Sequence, residues 1–249
     1  MKVVFHPQYL EVYSSDPAAS SGRLEAILNE LGDEYEFVEP EPCSDDDVLL
    51  VHTSGLLEEV KAMKEVYDVA RLAAGGAILA SNIAFNEPAF ALIRPPGHHA
   101  NPGYFWGFCY FNNIAIAVRK LIARGIINRA VIVDFDLHFG DGTDAIFKND
   151  SSVEYFHMPV DDVGSVEDFL KARNYDIIAV SAGFDKHKKD WGGYLETEDY
   201  RELGRMIAEF AAEKCHGRRF AVLEGGYNTD VLGKNVRAFL EGFQTSFSD

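Results

Sequence analysis

Cysteine is scarce in this sequence, whose 249 residues contain only Cys43, Cys109 and Cys215. Because the number is odd and the spacings are wide, neither a disulfide framework nor a structural zinc site is predicted, and we expect reduced thiols. Long apolar runs are also missing, since none approaches the ~20 residues that span a bilayer. The amino-terminal segment reaches His6 and Pro7 before an apolar run can form, so no secretion signal is predicted. We therefore expect a soluble, cytoplasmic protein with no membrane partner.

Basic residues are few relative to acidic ones. The chain has 23 Lys and Arg against 40 Asp and Glu, which gives a formal net charge of -17. Such a charge repels phosphate backbones, so nucleic acid is not expected as a direct partner. A cationic substrate would gain in encounter rate, although the same charge also serves simply to keep a protein soluble. The length and composition fit one globular domain over residues 1–249.

Short runs rich in β-branched residues alternate with longer helical patterns along the chain. This alternation predicts an α/β fold in which helices cover both faces of a mainly parallel sheet. Several runs are continuously apolar, as expected for strands that are buried on both faces. The predicted strands cover residues 3–5, 90–93, 130–135, 153–156, 176–181 and 219–223.

Apolar residues at helical spacing predict amphipathic helices between these strands. The patterns cover residues 24–31, 56–74, 114–122 and 200–211, the last of them after Thr197 as the predicted N-cap. The acidic segment 39–47, with two prolines, is predicted to be an exposed loop. Ligands of such sheets bind beyond the carboxyl ends of the strands, which is where the chemically interesting residues fall.

The run that ends at Asp134 leads directly into Asp136 and His138. These three residues alternate and are expected to point to one side of the strand end. Carboxylate and imidazole ligands suit Zn, Fe or Mn, so we predict a metal site, with an Asx turn capped by His138 as the alternative. Asp185 follows the strand at 176–181, where it is either a helix cap or the third ligand that a catalytic metal site needs.

Two adjacent histidines follow the strand at 90–93. His98 and His99 are either ordinary loop residues or the base and acid that hydrolysis at a metal requires. Asp134 and Asp141 are candidates to orient these imidazoles by accepting their distal N–H groups. Tyr227, after paired glycines, either packs in a turn or donates a hydrogen bond to an oxyanion.

Five ordered motifs carry a resemblance to a known family. RPPGHHA, GFCYFNN, VDFDLHFGDG, SAGFD and LEGGY together resemble the histone deacetylase, acetylpolyamine amidohydrolase and acetoin-utilisation family, over residues 90–230. The resemblance implies the arginase-deacetylase fold, a three-layer αβα sandwich around a mostly parallel sheet of about eight strands. It also implies hydrolysis of an N-acetylated amine, either acetyl-lysine in peptides or an acetylated polyamine, to acetate and free amine.

The resemblance further implies two ion sites. Asp136, His138 and Asp185 would bind the catalytic metal, which is usually zinc and sometimes iron. A monovalent cation, K+ in the expected case, would lie beside the catalytic strand and involve Asp134, Asp136 and main-chain carbonyls that include that of His138.

Catalytic roles are implied in the same way. His99 paired with Asp141 would be the general base and then the acid, and His98 paired with Asp134 would give electrostatic support. Tyr227 would polarise the carbonyl and stabilise the oxyanion.

The rim of the site departs from the family pattern. Gly107 and Phe108 would line the substrate channel, but Phe139 replaces a second histidine and Gly192 stands where a bulky or acidic gate is common. A short loop after His157 suggests a wide mouth or one that is completed by a second subunit, so a homo-oligomer is possible. The basic cluster 186–189 is predicted to be a solvated loop.

Two other functional classes stay open. A two-metal ureohydrolase of arginase type shares the fold but commonly uses an Asp-x-Asp pair, whereas SAGFDKH offers Asp185 alone. A non-catalytic protein that binds acetylated ligands would be expected to have lost a metal ligand, a base or the tyrosine, and this sequence has all of them.

Overall fold

The computed structural model describes residues 1–246, and seven parallel strands form its sheet. The spatial order is β2-β1-β3-β7-β6-β4-β5, and every neighbouring pair is parallel. The α/β class and the parallel sheet agree with the sequence prediction, and the seven strands of the described residues fit the expected number of about eight. The strands are β1 Lys2–Val4, β2 Glu36–Val38, β3 Ala89–Ala91, β4 Ala130–Asp134, β5 Val153–His157, β6 Ile177–Ala182 and β7 Arg219–Leu223.

The central strands are apolar because helices cover them on both sides. Every residue of β3, β4, β6 and β7 is buried, as continuous apolar runs require. Asp134, the last residue of β4, pairs in register with His157 of β5 and Ser181 of β6. The carboxyl ends of these strands therefore reach the same edge of the sheet.

Nine α-helices in two groups pack over the sheet within the described part of the chain. Helices α1, α7, α8 and α9 pack with one another, and helices α2 to α6 form the other group. The helices are α1 Arg23–Leu31, α2 Asp45–Val48, α3 Ser54–Lys61, α4 Lys64–Ile83, α5 Asn113–Ala123, α6 Asp141–Phe147, α7 Gly164–Lys171, α8 Thr197–Cys215 and α9 Thr229–Phe243.

Three helix boundaries differ from the sequence prediction. The pattern over 56–74 is not one helix, because Met63 leaves helical geometry (φ -97°, ψ 73°) between α3 and α4. Part of the acidic segment forms α2 rather than loop, since Ser44 and Asp47 make a reciprocal capping box that pairs backbone N–H groups. The N-cap of α8 is Glu196 and not Thr197, for the same reason with Asp199 as the partner.

No helix among residues 1–246 is long and apolar enough to cross a membrane. The longest, α4 and α8, are amphipathic and lie in the two helical layers.

Candidate active site

Loops after the carboxyl ends of the strands enclose a cavity of about 150 Å³. Helices α5 and α6 begin close by, and the cavity holds most of the side chains that the sequence motifs single out. Its lining consists of Pro96, His98, His99, Trp106, Gly107, Phe108, His138, Trp191, Gly225 and Tyr227.

Asp136, His138 and Asp185 meet at the floor of this cavity. One ligand atom from each lies within 4.8 Å of the others, and His138 Nδ1 is 3.2 Å from both Asp136 Oδ1 and Asp185 Oδ2. Asp185 Oδ2 is buried and has no hydrogen-bond partner in the structure. An orphaned carboxylate oxygen is costly unless a cation or a proton satisfies it. The donor set of two carboxylates and one imidazole therefore fits a divalent metal such as Zn2+ or Fe2+.

Two glycines let the backbone approach these ligands closely. A Cβ at Gly225 would lie 2.5 Å from Asp136 Oδ2 and 2.7 Å from Asp185 Oδ2, and one at Gly183 would overlap Asp136. The Gly225 N–H donates to Asp136 Oδ2 at 2.7 Å. Glycine at both positions thus leaves the ligand oxygens in place and open to an ion.

The carboxylates of Asp136 and Asp185 also favour a positive charge between them. The carboxylates of Asp136 and Asp185, each 3.2 Å from its Nδ1, raise the pKa of His138 to about 10, against the effect of burial. Burial and the neighbouring charge of Asp136 raise the pKa of Asp185. A bound divalent ion would take over the role of these protons, because metal ligands must be deprotonated.

His98 lies beneath the cavity and is held by a buried carboxylate. Its Nδ1–H donates to Asp134 Oδ2 at 3.0 Å, which leaves Nε2 directed away from Asp134 and 3.8 Å from Asp136 Oδ1. Burial would lower the pKa of His98, but the charges of Asp136, Asp134 and Glu224 outweigh burial and hold it well above its usual value. The surrounding carboxylates therefore favour the protonated form of His98.

His99 has the opposite protonation preference although it is the next residue. Its Nδ1–H donates to Asp141 Oδ1 at 2.7 Å, so a lone pair remains at Nε2. Burial and the neighbouring charge of His98 lower the pKa of His99 to about 4, even though Asp141 acts to raise it. The two rings lie 4.1 Å apart, and their pKa values are shifted in opposite directions.

Asp141 connects His99 to the wall of the cavity. Its Oδ2 accepts from Asn101 Nδ2 at 2.7 Å and from Trp106 Nε1 at 3.0 Å. These donors fix the carboxylate that orients His99. The indole of Trp106 in turn lies 4.2 Å from the imidazole of His99.

Tyr227 is held from both sides on the opposite wall. Its ring stacks on Trp191 at 4.0 Å with an interplanar angle of 19°, and the Arg23 guanidinium lies 5.3 Å from its centroid. Its backbone N–H donates to Asp190 Oδ2 at 2.8 Å. Burial raises the pKa of Tyr227 well above its usual value, so the phenol keeps its proton and can donate a hydrogen bond.

Gly107 and Phe108 narrow the entrance. Both have left-handed backbones, with φ values of 59° and 67°, and a Cβ at Gly107 would lie 2.5 Å from His99 Cδ2. A left-handed conformation is unusual for a phenylalanine and places its ring at the cavity, 6.2 Å from that of Tyr227.

Comparison with known proteins agrees with this geometry. The histone deacetylase domain model matches residues 17–159 and 165–243. This chain belongs to the histone deacetylase family. A probable deacetylase of Archaeoglobus fulgidus is 33% identical over 316 aligned residues, which cover 98% of this chain and 87% of that protein. Family membership supports hydrolysis of the deacetylase type, and therefore an enzyme.

Two further relatives show how far the similarity extends. A polyamine deacetylase of Danio rerio is 29% identical over 264 residues, covering 78% of this chain and 38% of that protein. The crystal structure of the HDA15 HD domain superposes with a TM-score of 0.87 over 98% of this chain and 89% of that one, at 24% identity, which establishes the fold. The archaeal alignment is longer than this chain and so contains gaps, which means that this histone deacetylase homologue lacks segments that its relative has.

The sequence prediction assigned no role to two buried residues, Glu224 and Arg23. Glu224 Oε2 accepts the N–H groups of Gly97 and His98 at 2.7 and 3.2 Å, so this carboxylate fixes the loop that carries the histidine pair. Arg23 Nε donates to the carbonyl of Gly226 at 2.7 Å and supports the loop before Tyr227. The position of Glu224 directly after a buried strand is a signal that could have marked it.

The prediction of a solvated basic loop over 186–189 is wrong for its first two residues. Lys186 and His187 are buried, and Lys186 Nζ donates to the carbonyl of Met158 at 2.5 Å. Only tertiary packing against the segment after β5 supplies this partner. Lys188 does remain exposed and pairs with Glu196.

Proposed function

We propose that residues 1–249 act as one catalytic domain that hydrolyses an N-acetylated amine to acetate and the free amine, with acetyl-lysine peptides or acetylated polyamines as substrates. The observation that carries this proposal is the meeting, in one cavity, of a metal-ligand set with an orphaned carboxylate oxygen and of two histidines with opposite protonation preferences. Families of hydrolases that cleave amides need both features, an electrophilic centre and a base beside it.

Asp136, His138 and Asp185 would hold the divalent ion. When bound there, a zinc or ferrous ion supplies Lewis-acid polarisation and makes water more acidic. The protein's own contribution is to keep the three ligands converged, through the close backbone at Gly183 and Gly225.

His99 is the proposed general base because its Nε2 is unprotonated and borders the cavity. It accepts a proton from water as the water oxygen attacks the acetyl carbon. It then returns that proton to the amine nitrogen as the C–N bond breaks. Asp141 keeps the ring oriented and stabilises the imidazolium while it carries the proton.

His98 and Tyr227 stabilise the negative charge that develops during the reaction. They do not transfer the proton that passes from water to the amine. The cationic His98, held by Asp134, stabilises negative charge that develops nearby. The Tyr227 phenol donates a hydrogen bond to the carbonyl oxygen as that oxygen becomes an oxyanion. Arg23 and Trp191 hold the tyrosine ring in place for this role.

The walls of the proposed substrate channel consist of Trp106, Gly107, Phe108 and Trp191. Aromatic walls suit the aliphatic stem that links an acetamide to the rest of a lysine or a polyamine, and their π-faces favour a cationic end group. The net charge of -17 favours cationic substrates in the encounter step. Both proposed substrate classes have the aliphatic stem, and the acetylated polyamines also have the cationic end group.

The deciding experiment is the measurement of kcat/KM with an acetyl-lysine peptide and with acetylated spermidine and putrescine, on zinc-loaded and iron-loaded protein. We expect acetate release from at least one class, with one divalent ion per chain by elemental analysis. Release of urea from guanidino substrates together with two metals per chain would instead support the arginase-type alternative. Saturable binding of acetylated ligands without acetate release would favour the non-catalytic binding protein.

A further inference from the structure

We infer that Asp190 is a positioning residue of the proposed reaction, because its carboxylate fixes the Tyr227 hydroxyl relative to the metal ligand Asp185. Hydrogen bonds that join the loop after β6 to the loop after β7 carry this inference. The role rests on the proposed function and deepens it, since it gives a part in the same site to a carboxylate that bonds to main-chain N–H groups.

Two groups of the proposed mechanism act on the same carbonyl oxygen although different strands carry them. Asp185, a proposed metal ligand, follows β6, and Tyr227, the proposed hydrogen-bond donor, follows β7. A donor to an oxyanion is effective only when it is held where the negative charge develops. The separation of the two loops therefore has to be fixed by contacts between them.

The carboxylate of Asp190 makes a side-chain contact between these loops. Its Oδ2 accepts the main-chain N–H groups of Tyr227 and Asn228, each at 2.8 Å. Its Oδ1 accepts the N–H of Trp191, also at 2.8 Å. In return, Asn228 Nδ2 donates to the carbonyl of Lys189 at 2.5 Å. Hydrogen bonds to a charged acceptor are the stronger kind, so this contact holds the two loops in one arrangement.

The loop that carries Asp190 is closed on its own start. The main-chain oxygen of Asp185 accepts the N–H of Gly192 at 2.7 Å, and that of His187 accepts the N–H of Asp190 at 2.9 Å. A Cβ at Gly192 would lie 3.0 Å from the main-chain oxygen of Asp185 and 2.7 Å from Lys186 Cα. The position of Asp190 is therefore tied to that of the metal ligand.

The loop that carries Tyr227 is linked to the loop after β6 on both sides of the tyrosine. Before it, the carbonyl of Gly225 accepts the N–H of Phe184 at 3.0 Å. After it, the N–H of Asn228 is bonded to Asp190. The first link joins two main-chain groups, so Asp190 supplies the link that a side-chain substitution can remove.

The same carboxylate places the ring that supports the phenol. The indole of Trp191 stacks on the Tyr227 ring, with centroids 4.0 Å apart, and Asp190 accepts the N–H groups of both residues. One side chain therefore sets the main chain of the tyrosine and the aromatic wall beside it. A displacement of about 1 Å at a reacting group can cost catalysis on the order of 10²-fold.

A double-mutant cycle tests whether Asp190 acts through the Tyr227 hydroxyl. In the wild-type background, Asp190→Ala should lower kcat on the order of 10-fold, because the phenol loses its fixed position. In the Tyr227→Phe background, the same substitution should change kcat by less than about 2-fold, since the hydroxyl is already missing. A merely structural role predicts the same factor in both backgrounds. Elemental analysis should show that Asp190→Ala retains the metal content of its parent.

Two more variants sharpen the cycle. Asp190→Asn keeps one acceptor oxygen but places an amide NH2 where an oxygen accepted a main-chain N–H. It should lower kcat by roughly 3-fold, less than Asp190→Ala, and again only when Tyr227 has its hydroxyl. This variant decides if Asp190→Ala does not fold. Asp230→Ala is the matched control, because Asp230 is exposed in the first turn of α9 beside the same loop, and it should leave kcat unchanged.

Near-UV circular dichroism tests the placement of Tyr227 without enzymatic activity. The chain has two tryptophans, so Trp106→Phe leaves Trp191 as the single indole. In that background, the stack on Tyr227 should contribute a signal that Tyr227→Leu removes. Asp190→Ala should reduce the signal in the same way, and Asp230→Ala should not.

Two results would overturn the role of Asp190: an equal loss of kcat in both backgrounds, or a kcat and a Trp191 signal that Asp190→Ala leaves unchanged. The proposed function fails separately. If the wild type releases no acetate from any substrate, the proposed function is wrong, and circular dichroism alone decides whether Asp190 places the tyrosine. An active enzyme that is insensitive to Asp190→Ala would refute only the role of Asp190.

Discussion

The floor of the site and its rim are built from different interactions. On the floor, Asp134, Asp136 and Asp185 are at most 1% exposed, and protein donors pair with nearly all of their oxygens. On the rim, Trp106 and Trp191 are 49% and 52% exposed and are placed mainly by ring contacts. A buried network has few alternative arrangements, whereas a solvated aromatic wall has many. We therefore expect the floor to fix the chemistry and the rim to adjust what enters.

Asp185→Ala is the most severe test of the floor. Removing this ligand should empty the metal site and lower kcat/KM on the order of 10³-fold or more, because the ion contributes several kcal/mol to the reaction. Metal content by elemental analysis and acetate release measure the two effects. Asp168→Ala, at an exposed position of α7, is the control and should retain both. Full metal occupancy in Asp185→Ala would remove this residue from the ligand set.

Tyr227→Phe tests the point where floor and rim meet. The ring stack on Trp191 and the metal should be retained, while kcat falls on the order of 10²-fold through the loss of one oxyanion donor. Steady-state kinetics with metal analysis provide the measurement. Tyr194→Phe, an exposed tyrosine near the same loop, serves as the matched control. Near-normal turnover of Tyr227→Phe would contradict the proposed role.

Trp191→Ala tests the rim itself. Loss of the aromatic wall should raise KM by roughly 5-fold, in line with ~1 kcal/mol for an aromatic contact, and should also lower kcat, because Tyr227 loses the ring that holds it in place. Trp191→Phe should restore most of the affinity, because a ring still faces Tyr227. An unchanged kcat would show that Trp191 is not needed to position Tyr227, and an unchanged KM that it does not contact the substrate.

The smallest effect is expected in the chemical labelling of the three thiols, which belong neither to the floor nor to the rim. Burial raises the pKa of Cys43 and of Cys215 to about 12, and that of Cys109 well above its usual value. A thiol stays protonated below its pKa, and the thiolate is the reactive form. In the native protein, labelling with a thiol-specific disulfide reagent should therefore be negligible at pH 8 and remain slow as the pH rises to about 10. Three thiols per chain should react after denaturation, and rapid labelling of the native protein would show that one of them is accessible.

The sequence motifs predicted the site well where chemistry depends on neighbours along the chain. Asp134, Asp136 and His138 are close in sequence, so strand geometry alone indicated that they belong together. Asp185 stayed ambiguous between a cap and a ligand, because its partners lie 47 and 49 residues earlier. Its orphaned oxygen beside His138 became visible only in the folded chain.

Local sequence patterns explain both the correct and the incorrect parts of the fold prediction. Continuous apolar runs identified the buried strands, whereas β2, with residues that are exposed or only partly buried, lacks that signal. Local capping by Ser44 and Asp47 turned part of a predicted loop into α2. The break at Met63 interrupts a stripe whose apolar spacing continues through it.

Composition and local pattern determined the α/β class, the parallel strands and the grouping of Asp134, Asp136 and His138, because each depends on burial or on spacing along the chain. Tertiary structure alone decided the opposite pKa shifts of His98 and His99, the support from Glu224 and Arg23, and the burial of Lys186. Those properties depend on charges and donors brought together from distant segments. The basic run at 186–189 looks solvated in sequence, and only the folded chain brings the Met158 carbonyl to the buried ammonium of Lys186.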